Sequence, residues 1–264
     1  MRIFRFEFML IIEYCKNKKK LYSSFSRIVI KAISAALNRN KTPVIGLSGG
    51  KTPRAFYSDL AKATNYKKYD GINFNRIRFF LGDERDVALD SSESNYANAL
   101  ASLCGGSKIL RSSIAPLNFN FKCPAATASD YACRIFNETG PGGEFDLLIL
   151  GMGSDGHTAS LFTRTVYDLT DFSARAGSSL TCGENLFVSH YVPSISAIRY
   201  TLTPYAIYKA RSIILLVTGH EKRKLLIDSI EGRLPVSELP AVSIFKNRSG
   251  PGLDAYVITD IDIS

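Results

Sequence analysis

Histidine is scarce in this chain: 264 residues hold three, His157, His190 and His220, and no two stand at ligand spacing. That pattern argues against an imidazole-based metal centre and leaves any metal to carboxylates, so no metal is expected. The five cysteines, Cys15, Cys104, Cys123, Cys133 and Cys182, show no short paired spacing either. A zinc cluster or a disulfide framework is disfavoured, and a reducing, cytoplasmic setting is expected. No apolar run is long enough to span a bilayer. The apolar start, residues 1–12, is broken by Arg2, Arg5 and Glu7 and lacks a small-residue cleavage site, which argues against a secretory signal. Internal repeats, low-complexity tracts and a Pro-rich linker are missing as well, so residues 1–264 read as one domain. Met9 is an alternative start that would make residues 1–8 an extension, because Leu10-Ile11-Ile12-Glu13-Tyr14 already reads as a first strand.

What is present is ordinary globular material: 45% hydrophobic and 22% charged residues, enough to bury a full core. The net charge of +9 favours small anionic partners. The densest basic cluster, Lys16-Asn17-Lys18-Lys19-Lys20, has no aromatic ladder beyond Tyr14 and Tyr22 and reads as a solvated strand-to-helix connection; neither nucleic acid nor membrane is expected as a partner. Apolar runs alternate with helical stripes. Strands are predicted at residues 43–47, 77–81, 145–150 and 212–217, with a weak last one at 255–260. Helices are predicted at residues 21–37, 53–63, 95–103 and 221–230. This alternation predicts an α/β fold, a mostly parallel open sheet with helices on both faces in a modified Rossmann-like arrangement. Residues 160–199 are the least legible and read as a small excursion from the sheet.

In open α/β sheets ligands sit beyond the carboxyl ends of the strands. Four such ends carry unusual residues. Ser48-Gly49-Gly50-Lys51-Thr52-Pro53 joins a strand to a helix, with Thr52 suited to the N-cap and Pro53 to the first helical position. Free backbone N–H groups, the helix dipole and the Lys51 ammonium then converge on a phosphate-sized spot. A nucleotide P-loop would need glycine where this chain has Ile45, so an NTPase is disfavoured. Gly82-Asp83-Glu84-Arg85 places two carboxylates and a guanidinium after a buried strand, where Arg85 could stabilise developing negative charge. The third end runs from Gly151 through Met152-Gly153-Ser154-Asp155-Gly156-His157 and presents the side chain best suited to proton exchange near neutral pH. Gly151, Gly153 and Gly156 match the dinucleotide-binding spacing. That motif belongs in a first βαβ unit with an acid ~20 residues on, and the downstream Asp168 and Asp171 follow no convincing strand, so a bound nucleotide is disfavoured. The fourth is Thr218-Gly219-His220-Glu221-Lys222. With Arg199, in Ile198-Arg199-Tyr200-Thr201-Leu202, Lys222 adds a candidate anion ligand.

These blocks together resemble the family of 6-phosphogluconolactonases and glucosamine-6-phosphate isomerases, in the family's order and over most of the length. The run Asp155-Gly156-His157-Thr158-Ala159-Ser160-Leu161-Phe162 is its most specific part. Arg85, where the isomerase branch typically has tyrosine, and the lack of an Asn-Glu-Pro run after His157 resemble the lactonase branch. Ala88 and Thr163 stand where the family often has proline, and Lys51 where serine is common. The resemblance implies hydrolysis of 6-phosphoglucono-δ-lactone to 6-phosphogluconate, in the oxidative pentose phosphate pathway, without metal, nucleotide or other cofactor. It implies His157 as general base, Asp155 as its orienting partner and Arg85 at the reacting end. The phosphate falls to Ser48, Gly49, Gly50, Lys51, Thr52, Arg199 and Lys222. The expected partner is a small phosphorylated sugar lactone, and the expected state a monomer or weak homodimer. A glucosamine-6-phosphate isomerase/deaminase and a non-catalytic sugar-phosphate sensor are the competing readings.

Overall fold

Short apolar runs ending in glycine or polar turns build a central sheet in the computed structural model, which describes residues 2–5, 9–140, 142–162, 183, 186–231, 233, 241 and 254–263. Thr163, Asp168, Asp171 and Cys182 lie outside the described residues. In chain order the strands are β1 (Arg2–Arg5), β2 (Met9–Tyr14), β3 (Val44–Leu47), β4 (Arg78–Leu81), β5 (Asp83–Arg85), β6 (Leu147–Gly151), β7 (Phe187–Val192), β8 (Ala197–Leu202), β9 (Ser212–Val217) and β10 (Asp254–Thr259). Seven of them pair in the order β1-β2-β10-β9-β6-β3-β4. Every neighbouring pair is parallel except β1 with β2. The inner strands are apolar on both faces, Val44-Ile45-Gly46-Leu47 and Ile213-Ile214-Leu215-Leu216-Val217 being buried throughout. A parallel sheet covered on both sides requires such runs.

The main helices are α1 (Lys18–Asn38), α2 (Lys51–Ala63), α3 (Asn95–Leu103) and α4 (Pro124–Thr139). Asn17 opens α1 by accepting from the Lys20 backbone N–H at 2.9 Å. Its buried stripe, Leu21, Phe25, Ile28, Val29 and Ile33, follows helical spacing. Phe25 meets Phe56 of α2 edge-to-face at 5.1 Å, and α2 packs in turn on α3. Each such ring buried from water contributes about 1.5–3 kcal/mol.

The excursion expected within residues 160–199 is a second sheet. Strands β5, β8 and β7 pair antiparallel in that order. Tyr131 of α4 joins the two sheets: its buried ring lies 5.5 Å from Phe80 of β4 and 4.8 Å from Phe187 of β7. Its hydroxyl donates to the Ala115 carbonyl and accepts from the Leu81 N–H, so no polar atom of the ring is left unpaired there.

Two local expectations are corrected. Helix α2 begins at Lys51, so its N-cap is Gly50 rather than Thr52, and Pro53 is the third helical residue rather than the first. Gly50 has φ +95°, a conformation closed to residues with a Cβ, and a proline is tolerated anywhere among the first unpaired N–H positions. Residues 83–85, read from sequence only as charges following a buried strand, form β5, because they pair with β8 of the small sheet.

Candidate active site

The order of the central sheet reverses at β3. The chain runs from β3 to β4 on one side, then returns to β6 on the other and continues to β9 and β10. The loops that follow β3 and β6 therefore leave the sheet in diverging directions and open a crevice between them. A cavity of about 210 Å³ occupies this crevice. Its wall includes Ser48, Gly49, Gly50, Lys51 and Thr52 after β3, Asp83 and Arg85 from β5, Gly153, His157 and Ala159 after β6, and Lys222 after β9. All four strand ends singled out in the sequence thus meet in one place, though they lie far apart in the chain.

The β3 loop presents the start of α2 to the cavity. Gly50 caps it with no side-chain hydrogen bond, so the first N–H groups of the helix are not taken by a cap. The Thr52 hydroxyl lies 3.3 Å from that of Thr218, tying this loop to the one that carries Lys222. Tyr57 donates to the Ser48 carbonyl at 2.9 Å from beneath. Burial drives the Tyr57 phenol pKa far above its ordinary value, and Asp83 adds to the rise, so it stays protonated and keeps its O–H for that bond.

Across the crevice, His157 Nδ1 lies 2.5 Å from Asp155 Oδ1. Asp155 is the outer partner, its side chain 55% exposed against 32% for His157, and it does not line the cavity. The imidazole, first of all through that hydrogen bond, holds the Asp155 carboxyl below the usual carboxylate range. An ionised carboxylate only accepts, so Nδ1 carries the proton and the neutral ring keeps its lone pair on Nε2. The ring stacks on Phe162 with centroids 4.6 Å apart. Gly153 makes the arrangement possible: a Cβ there would stand 2.3 Å from the imidazole and 2.7 Å from the Asp155 carboxylate.

Strand β5 explains its own charges by alternation. Asp83 and Arg85 point to the cavity while Glu84 points away and is fully buried. Glu84 caps α3, accepting from the N–H groups of Arg85, Asn95 and Tyr96 and from the Ser94 hydroxyl. Burial raises its carboxyl pKa, against the pull of those donors. Arg85 faces Arg199 across β5 and β8. Burial first, and then the charge of Arg85, lower the Arg199 pKa. Arg199 itself is not part of the cavity wall.

Of the residues named from sequence, Ser48, Gly49, Gly50, Lys51, Thr52, Arg85, His157 and Lys222 line the cavity. Asp155 and Arg199 stand behind it, each against a lining residue. Asp83 is a lining residue that is not among the site residues named from sequence. It is buried and held at both oxygens, Oδ2 by the Ser160 hydroxyl at 2.9 Å and Oδ1 by the Asn95 amide at 3.3 Å. The two-residue period of a strand would have paired it with Arg85. Among the described residues no group of three His, Cys, Asp or Glu side chains gathers as a metal site, and no helix is long and apolar enough to cross a membrane.

Comparison with known proteins places these features in context. Residues 16–251 match the family model described as glucosamine-6-phosphate isomerases/6-phosphogluconolactonase. A 6-phosphogluconolactonase of Chlamydia pneumoniae is 32% identical over 200 residues, 75% of this chain and 68% of that one. One from Synechocystis is 29% identical, covering 85% of this chain and 87% of its own. Among solved structures, the 6-phosphogluconolactonase of Thermotoga maritima superposes with a TM-score of 0.70 at 26% identity, over 95% of this chain and 99% of that one. The enzyme of Trypanosoma cruzi gives 0.71 at 28% identity, over 94% of both chains.

Proposed function

From the premise that this chain belongs to the glucosamine-6-phosphate isomerase/6-phosphogluconolactonase family, we propose that it hydrolyses 6-phospho-D-glucono-1,5-lactone to 6-phospho-D-gluconate. The observation that carries the reading is the Asp155–His157 pair on the wall of a cavity whose other wall is a helix start with Lys51 and, beyond it, Lys222. One wall suits proton transfer and the other a phosphate.

The lactone is a cyclic ester. Water must add to its carbonyl carbon, the carbonyl oxygen must carry negative charge in the tetrahedral intermediate, and the ring oxygen must leave with a proton. In this reading His157 Nε2 takes the proton from the attacking water and returns it to the ring oxygen, a role worth typically 10²–10⁴ in rate. Asp155 holds the ring in the required tautomer. Arg85 lies near enough to the cavity to stabilise the oxyanion or fix the reacting end. Ser48, Gly49, Gly50, Lys51 and Thr52 hold the phosphate through N–H groups and the helix dipole, with Lys222 adding charge. Arg199 contributes through its neighbour Arg85. In this reading the reaction needs no cofactor and is a step of the oxidative pentose phosphate pathway.

The test is hydrolysis of freshly generated lactone, coupled to NADP reduction by 6-phosphogluconate dehydrogenase, with the spontaneous rate subtracted. Acceleration by the wild type, reduced at least 10²-fold in His157→Asn, is expected. No acceleration by folded protein would overturn the reading, and ammonia release from glucosamine 6-phosphate would then identify the isomerase chemistry of the same family.

A further inference from the structure

Ser160 follows the His157 loop and is gripped by all three strands of the small sheet. Its N–H donates to Thr201 Oγ1 of β8 at 3.2 Å, its hydroxyl donates to Asp83 Oδ2 of β5 at 2.9 Å, and its carbonyl lies 2.9 Å from His190 Nε2 of β7. Ser160, Asp83 and Thr201 are all buried. Just before this anchor the backbone turns through Ala159 at φ +49°, a left-handed conformation unfavourable for a residue with a Cβ, and Ala159 is itself part of the cavity wall. Such a conformation persists only where the surroundings over-determine it.

A carbonyl only accepts, so His190 Nε2 must carry a proton. The neutral ring then has a bare lone pair on Nδ1, and among the described residues that atom is buried with no hydrogen-bond partner. Burial, and then the Arg199 guanidinium opposite it on β8, lower the His190 pKa, against the pull of the Ser160 carbonyl. Among the described residues its ring makes one hydrogen bond, from Nε2–H to the Ser160 carbonyl, and a leucine in its place would leave that carbonyl without this donor.

We propose that His190 is a positioning residue for the active site: its Nε2–H holds the Ser160 carbonyl, and through Ser160 it fixes both the Asp83 carboxylate and the far end of the loop that presents His157. The inference rests on the lactonase reading of the cavity. His190 does not line that cavity, so it acts only through Ser160.

His190→Leu removes the donor and leaves a buried carbonyl unpaired, whereas His190→Gln keeps an N–H near the Nε2 position. The expected result is a fall of roughly tenfold in kcat/KM for His190→Leu, with recovery to within about twofold in His190→Gln, assayed well below the thermal midpoint of His190→Leu, which the unpaired carbonyl lowers. Nitrogen-15 spectra of histidine-labelled protein should show the Nε2–H tautomer at His190. They should also show His157 ring resonances displaced in His190→Leu and restored in His190→Gln. Wild-type kcat/KM in His190→Leu, equal losses in both variants, an Nδ1–H tautomer, or unmoved His157 resonances would each overturn the proposal. A wild type that fails to accelerate lactone hydrolysis would sink the proposed function instead, and the spectra would still decide whether His190 sets the His157 loop.

Discussion

Asp155→Asn tests the His157 pair with little change of shape. The carboxylate accepts the Nδ1–H at 2.5 Å and also the His157 backbone N–H at 3.2 Å, both at Oδ1. Asparagine retains one oxygen, so the geometry survives, but the partner of the imidazole becomes neutral. A hydrogen bond to a charged group contributes about 1.5–3 kcal/mol net. With the Asp155 side chain 55% exposed, solvent screens part of that, and about 1–2 kcal/mol is the appropriate share. The loss falls mainly on the step that makes the imidazolium, so kcat should drop roughly 5- to 30-fold in the coupled lactone assay, with KM little changed. The pH dependence follows from the lowered carboxyl pKa. A carboxylate with a depressed folded-state pKa contributes stability that is present above its unfolded value of about 3.9 and lost as pH falls through the folded value. Asp155 therefore stays ionised through the neutral range. Any acid limb of kcat/KM near neutrality is not its own and should persist in the variant, while the stability difference between wild type and variant should vanish in strong acid. Unchanged kcat in Asp155→Asn, within a factor of two, would refute the orienting role.

Two further substitutions probe the cavity walls. Gly153→Ala places a Cβ 2.3 Å from the imidazole, so the ring must leave Asp155; kcat should fall at least as far as in Asp155→Asn, and a variant of wild-type activity would show that the ring has room the structure denies it. Lys51→Ala should raise KM for the phosphorylated lactone about 5- to 30-fold with kcat nearly constant, an effect that shrinks at high salt because Lys51 is exposed; a fall in kcat alone would remove the β3 loop from phosphate binding.

Much of the architecture is legible residue by residue. Ser212-Ile213-Ile214-Leu215-Leu216-Val217 has no polar face to show solvent, so it reads directly as an inner parallel strand. Asn95–Leu103 reads as a helix, and the structure adds its cap, the Ser94 hydroxyl accepting from the Ala97 N–H at 3.2 Å. The cap of α2 is misread because threonine before proline is a strong local signal, and only the positive φ of Gly50, set by the path of the chain out of β3, overrides it.

The small sheet is not legible, for a different reason. Asp83-Glu84-Arg85 is too short and too charged to announce a strand, and its pairing partner lies more than a hundred positions on, at Tyr200. Without that pairing, Glu84 looks like one more surface acid rather than the buried cap of α3, and Asp83 has no fixed side to face.

The sequence by itself determined the parallel α/β sheet and the His157 turn, because periodicity, strand-ending glycines and residue chemistry are local properties. The tertiary structure alone decided which side chains share the cavity. It set Asp83 and Arg85 on its wall, kept Asp155 and Arg199 one step behind, and joined His190 to it through Ser160. Those relations depend on strands that meet only when the sheet reverses at β3 and the small sheet closes over its end, and no local pattern encodes a distance between residues so far apart in the chain.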